Sequence, residues 1–380
     1  MINLLIFNVL HVSVTCDIIK YFILLYFCFF LLNQSGFNKS KQSTKIYLLI
    51  LYKIVFKLVD ISVIIVNFRG WKRLSQCLDS LNLIEDSRFS HEVIVVDNDS
   101  DDGMIGNFKE QFPKFTFVLN DGNFGFANGC NLGAKNSHGS YMLFLNPDTI
   151  VNAEALFVML SETRVRRLFS VISCSQIKEN GSEERPYGSY LTPFNLTGWL
   201  RAINKIFIHH KENPFSQDDN YLYPDWVSGS VIMLSKDSYN GLAGWDDDFW
   251  MYFEDVDLCR RAQLKGGEIV LIKTVCVEHN HGGASRINKQ VTALTKTCVN
   301  ISRHIYISKH ESGWKSFYMH AFLILDNVLF GLLPAIVGTI LFFISNLNVI
   351  ALIYVQLLSY YLNVLRSGTW LSKRSVNYIK

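Results

Sequence analysis

Two aspartates, Asp148 and Asp255, stand in sequence contexts that suit catalysis. Asp148 follows the short apolar run Tyr141–Leu145, and Asp255 lies within Gly244–Arg261, where carboxylates and aromatic residues are mixed. A carboxylate at a strand end can hold a divalent cation against a diphosphate, because hard cations prefer oxygen ligands. A carboxylate near an acceptor hydroxyl can act as a general base. An equally open interpretation of Asp148 is a turn former, or the cap of a helix that begins at Ala153.

The acidic run around Asp255 differs from an ordinary solvated surface, because such a surface would not carry so many aromatic residues. Asp255 is predicted near the start of a helix, whose dipole favours the ionised carboxylate. The alternative for this run is that Glu254 and Asp257 cap the helix and pair with Arg260 or Arg261. We expect this structural role for Asp257 and not for Asp255.

Two histidines, His279 and His281, follow a predicted strand at Ile269–Ile272 and its extension. A neutral imidazole in a loop is a common metal ligand. Isolated histidines are more often structural or solvated. Because Gly282 and Gly283 adjoin this pair, both interpretations stay open at this point.

The elements that must position these residues predict an α/β fold with a parallel sheet. Short apolar, β-branched runs alternate with helical patterns, of which the first places Trp71, Leu74, Leu78 and Leu81 on one face. Ligands gather beyond the carboxyl ends of strands in such sheets. The predicted strands are 61–66, 93–96, 115–119 and 141–145. The polar residues at their carboxyl ends are Asn67, Asp97 and Asn146-Pro147-Asp148.

Neither nucleotide fingerprint expected of other α/β classes is present. No G-x-G-x-x-G follows the first strand, and no G-x-x-x-x-G-K-[ST] occurs, which argues against a dinucleotide fold and a P-loop NTPase. A glycine-rich stretch instead covers Asn123–Gly133. Its glycines permit close backbone approach to a ligand, and its asparagines can bond hydroxyls or phosphates. Turns or tight helix packing are the alternative.

Composition limits the partners and the organisation of the 380 residues. A formal charge of +3 without a basic stripe argues against nucleic acid binding. The eight cysteines form no C-x-x-C pair and predict neither a zinc site nor a disulfide scaffold. The mixed composition of a globular domain is confined to the middle, and the sequence predicts three parts. These are an apolar N-terminal extension (1–58), a catalytic domain (59–312), and a C-terminal apolar hairpin with a basic tail (313–380).

Both ends are candidates for membrane contact. In the N-terminal extension, a transmembrane segment ending near Leu32, a signal peptide and a dispensable extension are alternatives. Near the C-terminus, apolar segments at 316–344 and 349–364 flank a predicted polar turn, Ser345–Asn348. Basic residues outside both segments would place both flanks on the cytoplasmic side. A shallow interfacial hairpin and buried helices are the alternatives to two crossings.

Seven segments, in this order, resemble family 2 glycosyltransferases, specifically the rhamnosyltransferase-like branch that builds bacterial surface polysaccharides. The segments are SVIIVNF (62–68), VIVVDNDSDDG (93–103), NFGFANGCNLG (123–133), LFLNPDT (143–149), WVSGS (226–230), GWDDDFWMYFEDVDLC (244–259) and VEHNHGGAS (277–285). The resemblance implies a GT-A fold, a divalent metal (Mg²⁺ or Mn²⁺) and inverting displacement at the anomeric carbon.

The resemblance also assigns roles. Asp148 would stand for the last acid of the D-x-D metal motif, whose first position is Asn146 here; His279 would be a further metal ligand, with His281 as the alternative. Asp255 would be the base, with Glu254 beside it. Donor-binding residues would be Asn67, Asp97, Asn123, Gly125, Asn128 and Asn146. The acceptor or sugar pocket would comprise Trp226, Ser228, Gly229 and Asp246.

The resulting hypothesis is transfer of L-rhamnose from dTDP-rhamnose onto a polyprenyl-diphosphate-linked acceptor at the cytoplasmic face of the inner membrane, in O-antigen or other surface polysaccharide synthesis. The irregular stretch 176–224 is expected to carry acceptor specificity. A different donor, such as galactofuranose, glucose or N-acetylhexosamine, is the alternative within the class. A sugar-nucleotide nucleotidyltransferase is the alternative from another class, but Asn67-Phe68-Arg69-Gly70 is a poor version of its triphosphate loop.

Overall fold

The computed structural model describes residues 59–207, 215–280 and 288–378, so residues 1–58 and His281 lie outside the described residues. The first elements are β1 (Ile61–Asn67), α1 (Trp71–Asn82), β2 (His91–Asp97), α2 (Met104–Gln111), β3 (Thr116–Leu119), α3 (Phe126–Lys135), β4 (Tyr141–Leu145), β5 (Thr149–Ile150) and α4 (Ala153–Val165). Next come β6 (Val171–Ile177), β7 (Tyr187–Gly188), α5 (Gly198–Phe207), β8 (Ser216–Gln217), β9 (Tyr221–Tyr223), β10 (Trp226–Val227) and β11 (Val231–Ser235). The last are α6 (Lys236–Gly241), α7 (Glu254–Leu264), β12 (Ile269–His279), α8 (Lys289–His310), α9 (Gly313–Ile324), a π-helical turn (Leu325–Phe330), α10 (Gly331–Ile340) and α11 (Ser345–Ser367).

The central sheet has a parallel half and a mixed half. Its order is β3-β2-β1-β4-β11-β6-β12-β9-β8, with β5 paired to β12, while β7 and β10 form a separate pair. The pairs β3–β2, β2–β1 and β1–β4 are parallel, whereas β11 runs antiparallel to both β4 and β6. The α/β class and the parallel pairing of the four predicted strands are confirmed. The whole is the GT-A-like fold that the resemblance predicts.

Apolar side chains on both faces of β1 explain its continuous hydrophobic run. Ile61, Val63 and Ile65 join one core cluster, and Ile64 and Val66 join the other. The first cluster lies under α1 and α4, and the second lies under α3 and α7. A strand covered on both faces reads as uninterrupted apolar sequence. The predicted apolar face of α1 is buried as expected. The six cysteines among the described residues are free thiols.

The C-terminal segment contains two helical stretches, 313–340 and 345–367, that are long and apolar enough to cross a membrane by length and composition. The predicted polar turn at Ser345–Asn348 is wrong, because these residues form the first turn of α11 and the chain reverses at 341–344. Polar side chains suit a first turn, whose N–H groups lack helical partners. The reversal carries exposed apolar residues, Phe342 and Phe343.

Candidate active site

Asp148 and His279 meet through strand pairing. Thr149 of β5 lies opposite His279 of β12, and the Asn280 N–H donates to the Asp148 carbonyl over 2.8 Å. His279 Nε2 consequently lies 3.3 Å from Asp148 Oδ1. The cap of α4 is Asn152, whose side chain accepts from the Ala155 N–H at 2.9 Å. The helix-capping interpretation of Asp148 is therefore wrong.

Glu184 holds the other nitrogen of the same imidazole. His279 Nδ1 lies 3.1 Å from Glu184 Oε2, and both side chains are largely buried. Burial lowers the pKa of His279, but hydrogen bonds and charge from Asp148 and Glu184 outweigh it and raise the pKa overall. A carboxylate bonded to the second nitrogen fixes the orientation of a ligating histidine. Sequence reasoning missed Glu184, which lies in the irregular stretch 176–224.

Within the described ranges, no group of three or more His, Cys, Asp and Glu side chains is arranged to hold a metal ion. Asp148 and His279 present a carboxylate oxygen and an imidazole nitrogen to the same cavity. Divalent cations such as Mn²⁺ accept both donor types. The pair therefore fits a metal whose remaining ligands come from a bound diphosphate and water.

Asp255 is held at the start of α7 by backbone donors. The N–H of Gly229 donates to its Oδ2 at 3.0 Å, and the N–H of Val256 lies 2.8 Å from its Oδ1. Burial raises the pKa of Asp255, and these backbone hydrogen bonds oppose part of the rise. A raised pKa lets a carboxyl accept a proton more readily, which suits a general base.

The backbone before α7 is unusual, since Tyr252 and Phe253 both have φ of 69°. Bulky residues rarely adopt this left-handed region, and such outliers cluster at functional sites. Both residues line the cavity that contains Asp255. The two consecutive left-handed residues turn the chain so that α7 starts at the cavity wall.

Glu254 and Asp257 differ from Asp255 in their surroundings. Asp257 accepts from Arg261 at 2.7 Å and lies 2.7 Å from His310 Nε2, which confirms its predicted structural role. Glu254 is buried, and its Oε2 has no hydrogen-bond partner among the described residues. Burial, followed by the charge of Asp255, raises its pKa well above the ordinary value.

An asparagine network fixes the glycine-rich loop. Asn98 Nδ2 donates to Asn123 Oδ1 and to the Gly125 carbonyl, each at 3.1 Å. Asn120 donates to Asn98 at 2.8 Å and to Asn128 at 2.9 Å. The loop is joined to the aromatic acidic run by the Trp250 indole, which donates to the Asn123 carbonyl at 3.1 Å. Asn98 and Asn120 were missed by sequence reasoning, although both directly follow a strand.

Asn67 and Asp97 are the buried last residues of β1 and β2. Asn67 is fully buried, and its Oδ1 accepts from the Gly70 N–H at 3.1 Å. Asp97 is 2% exposed and accepts from Ser100 Oγ at 2.5 Å. These bonds order the loops after β1 and β2. Their predicted contacts with the nucleotide stay predictions.

A cavity of about 720 Å³ lies against these loops. We call it the donor cavity. Asn123, Gly125, Asn146 and Asp148 are predicted residues that line it. Three arginines that sequence reasoning did not single out also line it: Arg69, Arg73 and Arg374.

A second cavity, of about 820 Å³, contains Asp255 and Trp226. We call it the acceptor cavity. Its lining residues from the stretch 176–224 are Gln176, Lys178, Glu183, Glu184, Arg185, Pro186, Ser189, Leu191, Asn195 and Arg201. Ser228, Tyr252 and His279 line both cavities, so the two adjoin along a shared wall.

Two predicted pocket residues lie elsewhere. Asp246 pairs with Lys309 at 2.8 Å and lines neither cavity. Gly229 approaches Asp255 through its backbone N–H and is not among the lining residues of either cavity. Glu254 also lines neither cavity. The structure thus brings Asp148, His279, Ser228 and Asp255 together and leaves Asp246 outside.

With this geometry, comparison with known proteins defines the class. Residues 62–228 match the Glycosyl transferase family 2 model, which places this segment of the chain in that family. It is a glycosyltransferase of glycan biosynthesis.

Two relatives and one solved structure illustrate the similarity. The chain is 24% identical over 214 residues to Rhamnosyltransferase WbbL of Escherichia coli K12, covering 54% of this chain and 77% of that protein. It is 22% identical over 271 residues to N-acetylglucosaminyl-diphospho-decaprenol L-rhamnosyltransferase of Mycobacterium tuberculosis H37Rv, covering 66% and 85%. The crystal structure of GalNAc-T7 with UDP, GalNAc and Mn²⁺ aligns at 14% identity and a TM-score of 0.46, covering 66% of this chain and 50% of that one.

Proposed function

We propose that this glycosyltransferase inverts the anomeric centre while it moves L-rhamnose from dTDP-β-L-rhamnose onto an acceptor carried on a polyprenyl diphosphate. The product is an α-rhamnoside in an O-antigen or another cell-surface polysaccharide. The reaction takes place at the cytoplasmic face of the plasma membrane.

The adjoining cavities carry the proposal. Asp148 lines the donor cavity, Asp255 lines the acceptor cavity, and Ser228, Tyr252 and His279 belong to both. A sugar at the shared wall has its diphosphate on one side and the incoming hydroxyl on the other. Displacement with inversion needs this opposite placement and needs no enzyme nucleophile.

In the proposed step, the acceptor oxygen forms a bond to the anomeric carbon as the bond from that carbon to the diphosphate breaks. Asp255 takes the hydroxyl proton, a contribution worth typically ~10²–10⁴-fold in rate. The Gly229 N–H keeps its carboxylate aimed at the cavity. The nucleoside diphosphate leaves through the donor cavity.

Asp148 and His279 would hold the divalent metal, and Glu184 would orient His279. Such a metal supplies charge neutralisation to the departing diphosphate. Asn123 and Asn146 contribute polar groups to the donor cavity. Asn128 lines neither cavity; it accepts from Asn120, and the buried Asn67 and Asp97 order the loops after β1 and β2.

The finer assignments rest on the relatives and on hydropathy. The Escherichia coli and Mycobacterium tuberculosis relatives are both rhamnosyltransferases by name, and the name of the latter specifies a decaprenol-diphosphate acceptor. Two apolar helices adjacent to the catalytic domain suit an acceptor that diffuses in the membrane plane. A family 2 enzyme using another donor sugar is the alternative, because the residues named above would contact the diphosphate rather than the sugar ring.

The test uses the full chain in detergent with a panel of nucleotide sugars, measuring donor hydrolysis with Mn²⁺, with Mg²⁺ and with chelator. We expect dTDP-rhamnose to turn over fastest, and Asp255→Asn to lower the rate by ~10²–10⁴-fold while calorimetry shows unchanged nucleotide binding.

Asp237→Asn is the matched control, because Asp237 is an exposed aspartate in the first turn of another helix. Full activity in Asp255→Asn would remove the general base from the proposal. Faster turnover of a different nucleotide sugar would replace rhamnose while leaving the mechanism intact.

A further inference from the structure

The acceptor cavity carries positive charge that the transfer chemistry does not use. Arg201 comes from α5 and Arg303 from α8, and both line this cavity together with Asp255. Neither arginine forms an ion pair with a carboxylate among the described residues. Arg201 donates to the Asn195 carbonyl at 3.1 Å, and Arg303 donates to the Asn300 side chain at 3.1 Å.

Arg303 is the more enclosed of the two. Its Nε is buried and has no hydrogen-bond partner in the part of the chain that the structure describes. Burial, and then the like charge of Arg201, lower the pKa of Arg303, and the charge of Asp326 opposes them only in part; a guanidinium stays charged in proteins. A buried cation with no carboxylate of the described residues within ion-pair distance is costly, and a bound anion reduces that cost.

The position of the pair limits the anion. The acids of this cavity come from other elements: Glu183 and Glu184 precede β7, and Asp255 belongs to α7. Trp199, two residues before Arg201, donates to Asp326 in the π-helical turn that follows α9, and α9 packs on α8. The arginines therefore lie on the side of the cavity that adjoins the apolar hairpin.

We propose that Arg201 and Arg303 form an anion site for the phosphate or diphosphate group of the acceptor substrate. Guanidinium groups match phosphate oxygens through paired N–H donors. An acceptor held there by its phosphate extends its sugar hydroxyl toward Asp255. The inference rests on the proposed transferase function and identifies the phosphate as the part of the acceptor that the enzyme binds.

The test measures binding by calorimetry to the full chain in detergent, with dTDP present to occupy the donor cavity. The probes are farnesyl diphosphate, farnesol and inorganic pyrophosphate. We expect farnesyl diphosphate to bind, farnesol to bind more weakly, and Arg303→Gln and Arg201→Gln each to weaken farnesyl diphosphate binding by about 10-fold to 100-fold. Arg303→Lys should retain part of the affinity, because it keeps the charge.

Arg167→Gln is the control, since Arg167 is 74% exposed and lies outside both cavities. If pyrophosphate and farnesyl diphosphate bind with equal affinity, and both bind weakly to the variants, the anion site is supported and the phosphate group alone determines the affinity. If farnesyl diphosphate binds more tightly than pyrophosphate, and the variants weaken that binding, the result supports a phosphate carried on a lipid. Unchanged binding in Arg201→Gln, whose exposed side chain tolerates replacement, overturns the proposal even if Arg303→Gln fails to fold.

Donor binding and donor hydrolysis separate this inference from the proposed function. The arginine variants should bind dTDP with wild-type affinity, because neither arginine lines the donor cavity. If Asp255→Asn hydrolyses the donor at the wild-type rate, the transfer mechanism fails while the anion site stands. If phosphate binding is insensitive to the arginines and Asp255→Asn is inactive, the anion site fails alone.

Discussion

At the scale of residues, neighbouring carboxylates in one helical turn have different environments. Asp255 lines a cavity and accepts two backbone N–H groups, whereas Glu254 is buried away from both cavities. Burial raises the pKa of both, and that of Glu254 rises well above its ordinary value of 4.5. Asp255, which faces a cavity while Glu254 does not, is therefore the carboxylate placed to act as base.

The pH dependence of activity should report Asp255. A base must be ionised, so kcat/KM should fall as pH decreases through its raised pKa. We expect an acid limb with an apparent pKa above the ordinary aspartate value of 3.8. A pH profile of donor hydrolysis checks this, and a limb at or below 3.8 would contradict the buried setting of Asp255.

The variant Glu254→Gln should distinguish the role of the Glu254 carboxyl group from that of Asp255. Because glutamine resembles the protonated acid, the variant should keep its activity and its acid limb. Its stability should exceed wild type at neutral pH. Because the pKa of Glu254 is higher in the folded state than in the unfolded state, wild type has its full stability below pH 4.5 and loses stability as pH rises through the folded-state pKa. The glutamine side chain does not ionise, so the variant should not lose stability in this way.

Thermal unfolding at pH 5 and pH 8, for wild type and Glu254→Gln, measures this difference. A variant that is inactive but stably folded would instead assign catalysis to Glu254.

At the scale of elements, the glycine-rich loop is shaped by one close backbone contact. Gly125 has φ of 95°, and a Cβ there would lie 2.1 Å from the Trp250 carbonyl oxygen. The next residue, Phe126, donates its N–H to that same oxygen at 3.1 Å. The loop beside α3 and the acidic run before α7 are thus fixed to each other, which links the donor cavity to the turn that presents Asp255.

Gly125→Ala should destabilise the fold by at least ~1–3 kcal/mol through its backbone conformation alone, before the clash is counted. Donor affinity should fall as well, because the loop must move. Gly106→Ala is the control, since Gly106 lies in α2 with open space around it. Alanine at that helical position should raise the free energy of unfolding by ~0.5–1 kcal/mol. Urea unfolding of both variants makes the comparison. Similar stabilities for the two variants would rule out the close contact.

At the scale of the whole molecule, the chain after the apolar hairpin returns to the donor cavity. Ser375 donates to the Asp248 carbonyl at 2.6 Å, and Asn377 donates to the Asp248 side chain at 2.9 Å. Arg374 lies 4.6 Å over the Trp250 ring and lines the donor cavity. The catalytic domain and the C-terminal segment therefore share the donor site.

Arg374→Gln should raise the KM for the donor about 10-fold to 100-fold, as expected when a charge-assisted contact worth ~1.5–3 kcal/mol is lost. Acceptor affinity should not change. Lys373→Gln is the control, because this exposed neighbour lines neither cavity. Steady-state kinetics with varied donor concentration measure the donor KM of Arg374→Gln and of Lys373→Gln. Equal KM values for both variants would show that the tail only packs against the domain.

Much of the fold followed from local sequence. The four parallel strands, the buried face of α1 and the start of α7 at Glu254 match their predictions, since side-chain periodicity and helix ends depend on near neighbours. The reversal between α10 and α11 was mispredicted, because polar residues can either form a turn or begin a helix. Packing of α11 against the apolar stretch 313–340 favours a helix that begins at Ser345 over a polar turn there.

The sequence by itself determined the candidate carboxylates, because a polar residue ending an apolar strand or starting an acidic helix is a local pattern. The tertiary structure decided their partners. His279 reaches Asp148 through antiparallel pairing of β5 with β12, Glu184 reaches His279 across 95 positions, and Arg374 reaches the donor cavity from the far end of the chain. Such contacts depend on long-range register and packing, which no short stretch of sequence encodes.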